Sequence, residues 1–216
     1  MTDLSYKCKW DSVIALEDWL ASNQYKCKIY FDIETDDGEQ QNIAVERCKI
    51  LTEAILNQGL FISLSNPLLQ ILAKKTKQKI ITLPTEPIDV IVAAMLYYKL
   101  NAVSEGRISI ETVNICSSQG DNIWINFDSS FAEEFGSLDS EFYKTVDEKP
   151  WWYRSDPSTS DWFEISKKEK ELKFHFQKSS WDKTLQWEQK VEKKNDNKKQ
   201  SNWKPQVIDG GKETKH

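Results

Sequence analysis

The sequence predicts an α/β protein: a three-layer, mostly parallel sheet with an antiparallel edge hairpin over residues 1–128, followed by a Trp- and Lys-rich C-terminal extension. Three observations carry that expectation. Lys28–Ile33 is rich in β-branched and aromatic residues and runs into the turn signal Asp36-Asp37-Gly38, so it reads as a strand. Strand-like runs at Leu60–Leu64 and Lys79–Leu83 then alternate with helical periodicity, the pattern of parallel strands joined by helical crossovers. Arg107–Cys116 and Asn122–Asp128 are two further strand-like runs with Gly120-Asp121 between them, which marks a closing hairpin.

From the N-terminus, Leu4–Trp10 reads as a short strand and Asp11-Ser12 as the N-cap of a helix through about Ala21, with Val13, Ile14, Leu16, Trp19 and Leu20 on its apolar side. The tetrapeptide Tyr-Lys-Cys-Lys occurs at Tyr6–Lys9 and again at Tyr25–Lys28; the flanks differ, so it is not read as a repeat. Glu39–Gln58 carries Ile43, Ile50, Leu51, Ala54 and Ile55 at helical spacing, with Gly59 as its stop. Asn66-Pro67 opens a helix through about Lys77, and Thr85-Glu86-Pro87 opens another over Ile88–Glu105. The first half of that last helix is apolar nearly all round, which predicts packing on more than one side and makes it the core helix. In the hairpin the alternation slips between Ile110 and Val113, which requires either a bulge or burial of both faces.

Charge is unevenly spread. Residues 164–216 hold 14 Lys and 9 acids, whereas residues 1–163 hold 15 Lys plus Arg against 25 acids. A body that acidic is a poor general partner for nucleic acid, because phosphate contacts need a positive face. The arginines are Arg47, Arg107 and Arg154, too few for bidentate reading of phosphate or guanine. Cys8, Cys27, Cys48 and Cys116 show no C-x-x-C pairing and two of them lie in apolar patterns, so they read as buried reduced thiols of a cytoplasmic protein. The longest apolar run, Ile88–Tyr98, is interrupted by Asp89 and is too short to span a bilayer, so no membrane association is expected.

Ser129–Pro150 has a weak pattern and reads as a linker or surface loop. Residues 151–189 form the Trp-rich extension, in which Trp151, Trp152, Tyr153, Trp162, Trp181 and Trp187 stand among few aliphatic residues. These rings either fold back on the body or anchor an outside partner, and exposed Trp and Tyr are favoured hot-spot residues of interfaces. Residues 190–216 are polar, rich in Lys and Asn, and expected to be disordered.

Candidate chemistry converges on the carboxylates after the central strand. Asp32 and Glu34, two apart on a strand, point to one face and could hold a divalent cation; equally, the acids of Thr35–Glu39 could be a solvated turn favouring the N-terminus of the next helix. Asp32-Ile33-Glu34-Thr35 resembles the first motif of the DEDD-type 3′–5′ exonucleases, Asn126-Phe127-Asp128 the second, and Tyr143 with Asp147 the third. The resemblance implies magnesium or manganese on Asp32, Glu34, Asp128 and Asp147, with Tyr143 orienting the attacking water. His175 lies in an alternating run and is expected to face solvent as part of a strand.

The leading expectation is a non-enzymatic interaction module without a cofactor, docking on a larger protein assembly through Trp151, Trp152, Tyr153, Trp162, Trp181 and Trp187. A metal-dependent nuclease or phosphodiesterase built on Asp32 and Glu34 is the alternative. The third is a single-stranded nucleic-acid binder acting through the basic tail, whose lysines are interleaved with aromatics.

Overall fold

The computed structural model describes residues 4–17, 19–136, 138, 143, 148–165 and 172–182. Its strands are β1 (Leu4–Leu16), β2 (Trp19–Ile33), β3 (Gly59–Ser63), β4 (Ile80–Leu83), β5 (Ile108–Ser117) and β6 (Ile125–Asp128), joined in one six-stranded sheet of order β4-β3-β1-β2-β5-β6. The helices are α1 (Gly38–Lys49), α2 (Leu69–Lys75), α3 (Asp89–Ser104) and α4 (Ser129–Phe135), and β7 (Asp161–Ile165) pairs with β8 (Leu172–Phe176) in a separate two-stranded sheet. The protein is thus α/β with a mixed sheet. Pairs β1–β3 and β3–β4 are parallel, whereas β1–β2, β2–β5 and β5–β6 are antiparallel, so the expectation of a mostly parallel sheet is corrected.

The cause lies at the N-terminus. The segment expected as a helix over residues 11–21 is strand, and the chain reverses at Glu17 (φ 47) so that Leu16 faces Trp19. Ser12–Ala15 bond to β2 on one side and to Gly59–Ile62 of β3 on the other. A strand held in two ladders satisfies all of its backbone groups, and that tertiary pairing overrides the local helical spacing of Val13, Ile14 and Leu16.

The carboxylate turn resolves as a helix start. Asp37 caps α1, its Oδ1 accepting from the amides of Glu39 (2.9 Å) and Gln40 (3.4 Å). α1 continues into a π-helical turn over Ile50–Ile55, closed by Leu56 N donating to Leu51 O at 2.9 Å. Gly59 is not the left-handed stop. Gln58 takes that conformation (φ 58), and Gly59 opens β3 where a Cβ would crowd the Ile81 side chain. α3 is buried nearly all round and packs on β5, β6, α1 and Trp151–Tyr153, as a core helix must. A register shift in the β2–β5 ladder at Tyr30–Phe31, opposite Thr112 and Ile110, puts a bulge at Glu111, the first of the two alternatives for the slip between Ile110 and Val113.

Burial divides the sheet into two halves. All five residues of β3 are buried, so both faces of the parallel half are covered. β1 and β2 alternate instead over much of their length: Trp10, Ser12, Asn23, Tyr25, Cys27 and Ile29 are buried, and on the other face Lys7, Lys9 and Lys26 are exposed and Lys28 is half-buried. Among the described residues the antiparallel half is therefore covered by helix on one face alone, which corrects the three-layer expectation there.

The body also extends past residue 128. Asp128 caps α4 within the stretch expected to be linker, and Trp151 and Trp152 are 0% exposed. Trp151 Nε1 donates to Thr82 O at 2.8 Å. Thr82 N donates to Thr159 O (3.1 Å) and Thr159 Oγ1 to Ile80 O (2.9 Å), so this segment closes the free edge of β4. Contacts group residues 1–180 as one unit and 181–216 as another. Among the described residues no helix is long and apolar enough to cross a membrane.

Candidate functional site

The residues singled out for partner binding separate. Trp151 and Trp152 are sealed in the core and offer no surface to a second molecule. Tyr153 packs edge-on against Tyr98 (5.1 Å between centroids), and its hydroxyl accepts from Leu138 N at 3.1 Å. Trp162 is half-buried and stacks on His175 at 3.9 Å and 7°, so His175 is engaged with a ring rather than turned to solvent. Trp181 lies in the second unit, and Trp187 lies outside the described residues, as does the tail 190–216.

Of the carboxylates of the metal reading, Asp32, Glu34 and Asp128 lie among the described residues. Asp32 and Glu34 are exposed at the end of β2, while Asp128 Oδ1 accepts from Ser130 Oγ (2.6 Å) and Phe131 N (3.0 Å) as a helix cap. The Ser130 hydroxyl, with the Phe131 amide, holds the Asp128 carboxyl below the ordinary value. Tyr143 donates to Asp161 Oδ2 at 3.1 Å in the core, and Asp147 lies outside the described residues. Among the described residues no group of three His, Cys, Asp or Glu could hold a metal ion.

Asp161 belongs instead to a buried structural network. It accepts from Trp151 N (3.0 Å), Arg154 Nη2 (2.8 Å) and Tyr143. Burial pushes its carboxyl up and Arg154 opposes this. Beside it, Lys99 Nζ donates to the carbonyls of Trp151 (2.9 Å), Arg154 (2.8 Å) and Asp156 (2.6 Å). With three carbonyls as acceptors, the amine clamps α3 to residues 151–156.

Two surfaces among the described residues stand out. The first is an apolar cleft of about 510 Å³ lined by the β1–β2 turn, the start of α3 and the β5–β6 turn. On it Trp19 is 49% exposed, Ile88 53% and Ile123 66%. Its lining holds no Lys or Arg, and it includes Asp89, whose carboxyl burial raises and hydrogen bonds from Ser117 lower. Glu17, Glu86 and Asp121 directly adjoin lining residues in the chain. Asn23 orders one wall, its Oδ1 accepting from Ser118 Oγ (2.9 Å) and Gln119 N (3.0 Å).

The second is the bare face of the antiparallel half. The two Tyr-Lys-Cys-Lys segments pair with each other: Lys7 faces Lys28, Cys8 faces Cys27 and Lys9 faces Lys26. Alternation sends the cysteines to the helix side and all four lysines to the open side, and a cleft of about 790 Å³ is lined by these lysines, Cys8 and Cys27, with Glu53, Asn114 and Trp124. Sequence reasoning missed these lysines, although the recurrence was the signal. Read as two strands of one hairpin, Tyr6–Lys9 and Tyr25–Lys28 put every Lys on one face.

No protein-family model matches the chain, and no curated protein does. Among solved structures, it is similar to an uncharacterized protein from Wolinella succinogenes at 9% identity and a TM-score of 0.44, over 59% of this chain and 98% of that one.

Proposed function

We propose that the protein is a non-enzymatic interaction module whose docking surface is the cleft around Trp19, Ile88 and Ile123 rather than the Trp-rich segment. One observation carries this reading: three large apolar side chains, distant in sequence and each about half exposed or more, border a single cleft. Scattered exposed apolar residues are ordinary, but a contiguous patch with a polar rim marks a place where another molecule excludes water. The neighbouring carboxylates Glu17, Glu86, Asp89 and Asp121 define the occupant as a protein segment with an apolar anchor and basic flanks.

The test is selection from a displayed random-peptide library on the full-length protein. Enriched peptides should share a large apolar residue beside Lys or Arg and bind with roughly micromolar affinity. Ile123→Asp, on an exposed turn, should weaken them at least about tenfold, the cost of losing a hot-spot contact. Failure to enrich, or peptides indifferent to Ile123→Asp and Trp19→Asp, sinks the reading.

A further inference from the structure

We propose that the open face of the β1–β2–β5–β6 half binds single-stranded nucleic acid, with phosphates held by Lys7, Lys9, Lys26 and Lys28 and a base stacked on Trp124. The hairpin register sets Lys7 against Lys28 and Lys9 against Lys26. Directly opposed residues of an antiparallel pair lie about 5 Å apart, and residues two apart on a strand about 7 Å apart. Four ammonium-bearing side chains therefore rise from one small quadrilateral of backbone. Like charges directly opposite one another destabilise a sheet, so folding gains nothing from this placement.

The charge is only partly offset from within. Among the described residues none of the four lysines forms an ion pair: Lys26 Nζ donates to Asn122 Oδ1 at 3.3 Å, and Lys28 Nζ to the Tyr30 hydroxyl. Glu53 lines the same cleft, its carboxylate accepting from the Tyr6 hydroxyl, so four lysines stand there against one acid. In a chain of net charge -5 this is a local positive island, and an anionic ligand is the missing counter-charge.

Trp124 decides which anion. It is 55% exposed and lines the same cleft as the four lysines. A cationic surface with an exposed indole is the combination that tracks a phosphate backbone while stacking an unpaired base; an acidic peptide has no use for the ring. Lysine is a point charge without the arginine fork that reads guanine, so recognition is expected to tolerate sequence. A duplex keeps its bases stacked and leaves Trp124 unused.

The test is fluorescence anisotropy of the full-length protein with a labelled mixed-sequence DNA of about 12 nucleotides, between about 50 and 200 mM salt. The expected slope of log affinity against log salt is about -3, from four phosphate contacts at roughly 0.7 each. Lys26→Gln with Lys28→Gln should halve that slope. The quadruple Lys→Gln variant should abolish binding while melting at or above the wild-type temperature, since opposed like charges are removed. Trp124→Ala should weaken binding roughly tenfold at unchanged slope, and a duplex of the same sequence should bind more weakly.

Absence of binding at the lowest salt overturns the proposal. So does binding that survives the quadruple substitution, which would put the contact on the Lys-rich residues 164–216. Equal affinity for heparin or polyglutamate, with Trp124→Ala silent, also overturns it, since the face would then be a general polyanion surface.

Discussion

Lys99 and Trp151 are joined across the core: the Lys99 amine donates to the Trp151 carbonyl at 2.9 Å, and its nitrogen lies 5.4 Å from the centre of the Trp151 ring. One buried side chain on α3 thereby fastens residues 151–156, which read in sequence as an outlying extension, to the sheet-and-helix body. Thr82 completes the attachment from the other side by accepting from the Trp151 indole.

Lys99→Met follows as the sharpest test of this attachment. It leaves three carbonyls without their donor, and the expected loss is about 3 kcal/mol in urea unfolding. The pH dependence has a defined sign. Burial pushes the Lys99 amine down to about 7, with Asp156 opposing, from the ordinary value of 10.5. Between those values the unfolded chain binds more protons than the folded one, so the contribution of this group to stability rises with pH across the window. The stability difference between wild type and Lys99→Met should therefore widen as pH climbs above about 7; a flat difference refutes it.

Gly59→Ala should destabilise by about 2 kcal/mol through overpacking. Its Cβ would press on Ile81 Cδ1 and lie 3.0 Å from Leu56 O, in a part of the sheet where both faces are filled. Gly106→Ala offers the contrast. That site has open space but φ 74, so its expected cost of about 1 kcal/mol comes from the backbone alone. Thermal melts of the two variants should rank Gly59→Ala as the lower, and the reverse order contradicts the packing account.

Cys8 should be the one rapidly reacting thiol among the four. The hydrogen bond with Cys27, its partner across the ladder, holds the Cys8 thiol below the ordinary value, against the cost of its own partial burial. Cys27, Cys48 and Cys116 are buried and pushed up. With an aromatic disulfide reagent at about pH 7.5, one thiol should titrate fast, and Cys8→Ser should abolish that phase. A fast phase that persists in Cys8→Ser assigns the reactivity elsewhere.

Signals that act within a few residues were legible from sequence. The apolar run at Leu60–Leu64, the all-round apolar core helix, the closing hairpin and the acidic turn beside α1 follow from side-chain periodicity and capping, which need no knowledge of neighbours. Residues 11–21 misled because their spacing fits a helix, and only the distant strand β3 makes a strand the better outcome.

What the amino-acid order by itself determined here is the set of local elements, together with the presence of four lysines in two matching tetrapeptides. The tertiary structure alone decided that those tetrapeptides pair, that their lysines share one face, and that Trp151 and Trp152 lie inside. The physical reason is that a residue's face is assigned by long-range strand register and by whatever packs above it, and neither is written within the window over which periodicity can be read.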